Sequence, residues 1–178
     1  MERKFKQCLW ANFAAAIDML SNAINMCTDE LWQKEKKFFY MTYHTTIFLD
    51  YYLSNPVKTF APALPYTLVD ESQMPAEAVD DVIPDRLYSK EEVLSYLASI
   101  RKKCKDLILN SSSDKLLERW IDNSETDLHG LCPSIVKNYT LLEIILYNLR
   151  HVQHHGAQLN LILKEKIGIA PGWVSHAD

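Results

Sequence analysis

Glycine is scarce in this chain, with four residues in 178. A domain rich in strands and tight turns uses more, because such turns need backbone conformations that only glycine adopts without steric cost. The shortage therefore points to helices. No run of 18 or more apolar residues occurs, so no segment reads as a membrane span. Met1-Glu2-Arg3-Lys4-Phe5-Lys6 is not followed by a continuous apolar stretch, since Asn12 and Asp18 interrupt it, and it does not read as a signal peptide. Cys8, Cys27, Cys104 and Cys132 form no CxxC pair, which argues against a cysteine-based zinc site. Four reduced, mostly buried thiols in a cytoplasmic protein are expected instead. With 19 basic and 23 acidic side chains the net charge is −4, and no concentrated basic face calls for nucleic acid. An HExxH motif is also absent.

What is present fits one folded domain spanning residues 1–178. The apolar fraction is 48% and the charged fraction 24%, enough apolar residues for a real core and too many for a disordered chain. From about residue 4 to 26, Phe5, Cys8, Leu9, Phe13, Ile17, Leu20 and Ile24 recur at mostly helical spacing and predict a first long helix. Thr28 is placed to cap a short stretch over 29–33. A second long helix is expected over 34–53, too long for a strand despite its β-branched and aromatic residues, with Ser54-Asn55-Pro56 ending it.

Residues 55–88 hold most of the prolines and the acids Asp70, Glu71, Glu77, Asp80, Asp81 and Asp85. A connection of this length is unusual inside a compact domain and is often functional. Ser89 with Glu92 forms a capping box that opens a third helix to about residue 109, with Val93, Leu94, Leu97, Ile100, Cys104, Leu107 and Ile108 inward. Ser113 is placed to cap a short helix reaching Trp120-Ile121. Thr140 with Glu143 is a second capping box, opening a helix to about residue 166 with Gly168 at its left-handed end. The expected fold is all-α: a four-helix bundle with a long crossover connection between helices two and three.

Three of the six histidines lie within five residues, at 151, 154 and 155, in the middle of the last helix. At about 3.6 residues per turn, His151 and His155 share a face and can converge on one ion. His44 lies mid-helix among Tyr40, Met41, Ile47 and Phe48, on a core-facing stripe where an unpaired imidazole is costly. Bundle cores assemble metal sites from such facing helices. His44, His151 and His155 are thus the candidate ligands, and His155 is preferred to His154 because the stripe Ile144, Tyr147, Asn148, His151, His155, Gln158 and Ile162 runs through it. His129 and His176 are expected to be solvated. Tyr40, Tyr51, Tyr147, Asn148 and Gln158 are candidates to line the cofactor site. Imidazole suits several divalent transition metals, zinc or nickel first and iron as a further choice.

The segment His151-Val152-Gln153-His154-His155-Gly156-Ala157-Gln158-Leu159 resembles the last-helix signature of the DinB/YfiT-like superfamily. In that signature the first histidine and the second of the paired histidines bind metal, and the remaining ligand comes from the second helix, where this chain has His44. The order of four helices and the long connection are similar as well. The chain departs from the signature where Gly156-Ala157 replaces a common Arg-Gly, so no role of that arginine transfers. Ala157 is expected to keep the small residue needed for close helix packing.

The resemblance implies a metal-dependent transferase acting on a small-molecule substrate with a low-molecular-weight thiol, and a homodimer. The thiol would come from a cosubstrate, since no cysteine falls at a ligand position. Metal-assisted hydrolysis is the alternative, but it needs a general base, and Asp50 and Glu143 lie off the ligand stripes. A non-catalytic metal-binding or dimerisation module is the third reading.

Overall fold

The computed structural model describes residues 2–178. It is mostly helical. Four helices are long: α1 (Glu2–Met26), α3 (Lys36–Tyr52), α4 (Lys90–Asn110) and α6 (Leu141–Ile167). Two are short: α2 (Asp29–Lys34) and α5 (Ser113–Leu117). Helix α1 packs against α4 and α6, while α3 packs against α6 and α4. Leu9, Phe13, Ile17, Leu20 and Ile24 of α1 are buried as their spacing requires, whereas Phe5 and Cys8 at its start are exposed.

Helix ends follow local chemistry. Thr28 accepts a hydrogen bond from the amide of Leu31 and starts α2. The capping boxes at Ser89–Glu92 and Thr140–Glu143 both form. Gly168 ends α6 with φ of 75°, a conformation that costs glycine nothing because it has no Cβ. Ser112, not Ser113, caps α5, and α5 stops at Leu117. The chain leaves the helix there because Trp120 and Leu141 instead pair through backbone bonds with Tyr139 and Glu118.

Helix α3 is the most enclosed element. Every residue from Met41 to Leu53 is buried. A helix apolar on all sides belongs inside a protein, and the polar residues of α3 adapt to that position. Thr45 and Thr46 donate to the carbonyls of Met41 and Thr42 at 2.6 and 2.8 Å. Asp50 accepts from Tyr96 Oη at 2.5 Å and from Lys103 Nζ at 2.6 Å. Lys103 is therefore an anchor for a buried carboxylate. Arg101 likewise pairs with Asp18 at 2.7 Å.

The connection between α3 and α4 contains a feature that periodicity does not show. Tyr66–Leu68 (β1) and Val82–Pro84 (β2) pair antiparallel, with Thr67 opposite Ile83. Tyr43 of α3 holds this segment, donating its hydroxyl to Pro65 O at 2.7 Å and stacking on Tyr88 at 5.9 Å. Trp32 Nε1 donates to Tyr88 O at 2.9 Å. The hairpin is thus pinned next to the residue that follows Tyr43 in the chain, which is His44.

All four cysteines are free, and only Cys27 and Cys104 are buried; Cys132 is half-buried and Cys8 exposed. Among the described residues no helix is long and apolar enough to cross a membrane.

Candidate metal centre

His44 projects from the middle of α3, and His151 and His155 from successive turns of α6. Their contact follows from two independent facts. The i, i+4 spacing stacks the α6 pair on one face, and α3 packs along that face of α6. Nε2 of His44 lies 3.0 Å from Nε2 of His151. One ring nitrogen from each of the three histidines falls within 4.8 Å of the others. Two imidazole nitrogens on one ion stand at most about 4 Å apart, given metal–nitrogen distances of about 2.0–2.1 Å. The His44–His151 pair meets that limit, and the group as a whole is within an ångström of it.

The environment favours neutral, ligating rings. His44 and His155 are buried and His151 nearly so. Burial pushes the His151 pKa down to about 2, helped by the neighbouring imidazoles. Burial and His44 push His155 down to about 4, against the opposing effect of the hydrogen bond it donates to Gln158. A neutral imidazole carries the lone pair that a metal needs.

Two of these rings are oriented by neighbours. Nδ1 of His155 lies 2.8 Å from Oε1 of Gln158. An amide oxygen only accepts, so Nδ1 carries the proton and Nε2 is left as the donor nitrogen toward the triad. Nδ1 of His44 is approached at 2.9 Å by Oδ2 of Asp80. The oxygen stands off the N–H axis, so the contact is a close charge–dipole approach and not an aligned hydrogen bond. Nδ1 of His151 is buried without a partner. Aromatic rings enclose the group: Phe48 lies 4.7 Å from His44, and Tyr147 stacks on His151 at 6.5 Å with the planes 10° apart.

The residues expected to line the site divide into two sets. Tyr147 and Gln158 touch the triad. Tyr51 does not belong there: its ring packs on Phe60, Trp120 and His129, because its position on α3 turns it toward the connection. Tyr40 packs its ring against Phe39. Asn148 ties α6 to α3 by donating to Leu49 O at 3.0 Å.

His154 is exposed, with its ring 5.0 Å from that of His155, which agrees with its place at the edge of the stripe. His129 is not a solvated loop residue. It is half-buried, edge-on to Phe60 at 5.2 Å, with Nε2 3.2 Å from Val57 O. Ala157 is exposed, and a Cβ at Gly156 would meet nothing within 4 Å, so neither residue serves close helix packing. Trp173 is 72% exposed. Asp80 is the residue that sequence reasoning missed. It belongs to a non-helical segment with five other acids, and only the fold of the hairpin distinguishes it.

Fold and site together define a mostly helical protein with a buried three-histidine cluster able to hold a metal ion. Comparison with protein families, with curated proteins and with solved structures finds no match.

Proposed function

We propose that this chain is a metalloprotein of the DinB/YfiT type. In this reading α1, α3, α4 and α6 form a four-helix bundle, with the segment between α3 and α4 as its crossover. His44, His151 and His155 hold one divalent transition ion, zinc or nickel first and iron next. The ion serves a transfer reaction between a small electrophilic substrate and a low-molecular-weight thiol.

The observation that carries this reading is the meeting of three imidazoles from two helices at one buried point. Three protein ligands leave a position open for an exogenous group. When bound there, the ion supplies Lewis acidity that favours the ionised, nucleophilic form of a thiol. The chain's own residues do the rest. Gln158 holds His155 in one tautomer, and Phe48 and Tyr147 exclude water from the ring edges. The two buried thiols do not supply the nucleophile: burial pushes Cys27 up to about 11 and Cys104 further still.

Transfer stands ahead of hydrolysis because Asp80, the carboxylate nearest the triad, is directed at Nδ1 of His44 and is not among the atoms that cluster at the ion site. The test is conjugation of a model electrophile by the zinc- or nickel-loaded protein, with glutathione-like, bacillithiol-like and simple thiols. Acceleration that disappears in His151→Ala supports the transferase reading. No acceleration with any of the thiols, alongside turnover of esters or amides, overturns it in favour of hydrolysis.

A further inference from the structure

Residues 55–88 are more than a tether between α3 and α4. Six acids lie in this segment, and five of them, Asp70, Glu71, Glu77, Asp81 and Asp85, are exposed. Asp80 alone turns inward, its side chain 28% exposed, and meets a ring whose side chain is 10% exposed. Its two oxygens have separate partners. Oδ1 accepts from the amide of Val82, the first residue of β2, at 3.1 Å. Oδ2 lies 2.9 Å from Nδ1 of His44.

The position of Asp80 on the ring decides what it can do. Nε2 of His44 faces His151, and Nδ1 lies across the ring from that edge. The carboxylate therefore stands at the ring nitrogen that does not face His151. It is not among the atoms that cluster within 4.8 Å of one another. Asp80 is therefore not placed as a fourth ligand. What it can do is favour the Nδ1–H tautomer through the close approach of its charge to Nδ1, which keeps the lone pair on Nε2. His155 has its own Nδ1 proton placed by an aligned hydrogen bond to the neutral amide of Gln158.

The hairpin makes the carboxylate's position reproducible. Tyr43, next to His44, donates to Pro65 O at 2.7 Å. Tyr88 donates its hydroxyl to Asp85 and lies 3.3 Å from Pro65 O. Tyr66 of β1 donates to His129 O at 2.9 Å. These contacts fix both ends of the loop that carries Asp80. Binding at His44 is thereby linked to the seating of the whole connection on α3.

We propose that Asp80 is the positioning residue of the metal centre: by holding the proton of His44 on Nδ1, it couples the β1–β2 hairpin to the affinity of the three-histidine site. This rests on the metal-binding reading above. The experiment measures zinc and cobalt(II) affinity by competition with a chromophoric chelator in the wild type and in Asp80→Ala, Asp80→Asn and Asp81→Asn. Loss of a carboxylate that orients a ligating histidine weakens metal binding by about 10–100-fold. Asp80→Ala is expected in that range, Asp80→Asn between it and the wild type, and Asp81→Asn at the wild-type value.

A readout that a purely structural role would not move accompanies it. In zinc-loaded, nitrogen-15-labelled protein the His44 Nδ1 resonance shifts in Asp80→Asn, while those of His151 and His155 stay in place. The cobalt absorption bands keep their intensity in the same variant, as they must if the ligand set is unchanged. Affinity of Asp80→Ala within twofold of wild type, or cobalt bands that collapse in Asp80→Asn, would overturn the proposal. Failure of the wild type itself to bind either metal overturns the metal-binding reading instead, so the two failures are told apart.

Discussion

Nε2 of His44 and Nε2 of His151 stand 3.0 Å apart although 107 positions separate them in the chain. Two bare lone pairs cannot be held at that distance without repulsion. Either a proton or a cation must lie between them. Burial disfavours a charged imidazole at this point, so a proton here requires one ring to adopt the Nε2–H tautomer. A metal ion satisfies both nitrogens together, and the third imidazole as well.

Ligand linkage supplies the first prediction. An ion that binds only the folded state stabilises it by about 2.7 kcal/mol at a hundredfold excess over its dissociation constant. Zinc or nickel at that excess is expected to raise the denaturant midpoint of the wild type by an amount matching this figure. His155→Ala should show little or no shift at the same metal concentration. Equal shifts in both proteins would mean that the ion binds elsewhere.

Acid sensitivity of the metal-free protein follows from the same burial. An unfolded histidine titrates near 6.5, whereas His155 is held down to about 4 and His151 to about 2. Below pH 6.5 the unfolded chain therefore binds more protons than the folded one. The stability associated with these neutral rings is fully present above about 6.5 and is lost as pH falls toward 4 and beyond. Urea midpoints measured from pH 7.5 to 4 should decline. The decline should be shallower in His151→Leu, which has no ring to protonate.

Gln158→Leu removes the acceptor for the His155 Nδ1 proton and leaves that N–H buried. Metal affinity is expected to fall by about 10-fold or more, with helix content by circular dichroism unchanged. An affinity equal to wild type would show that the His155 tautomer needs no partner.

Stability and metal binding can be separated at Asp50. Tyr96→Phe deletes the hydroxyl that donates to the buried Asp50 carboxylate at 2.5 Å. Hydrogen bonds to charged groups contribute about 1.5–3 kcal/mol, and a loss of that size is expected in chemical denaturation. Bound metal per chain should not change, since Asp50 faces α4 and not the triad.

The parts of this structure legible from sequence are those encoded locally. Ser89–Glu92 and Thr140–Glu143 mark helix starts because the capping groups lie within four residues of each other. His151 and His155 are legible as a pair because about 3.6 residues per turn fixes their relation. His44 could be added because an isolated histidine among apolar residues needs a partner.

The rest depends on contacts between distant segments. Asp80 has no periodic context, and only the pairing of Tyr66–Leu68 with Val82–Pro84 turns it inward. Lys103 reads as one of three basic residues in a row until α3 packs beside it and presents Asp50. Tyr51 sits in a helix buried all round, so its side chain had no preferred face in the sequence, and it turned toward Trp120.

In the proposed reading α3 and α6 share one ion. Elemental analysis of the wild type and of His44→Ala, purified identically, measures this. One transition-metal ion per chain is expected in the wild type and a small fraction of that in the variant, with both proteins folded. Equal metal in the two proteins, or none in the wild type after exposure to zinc and nickel, would contradict it.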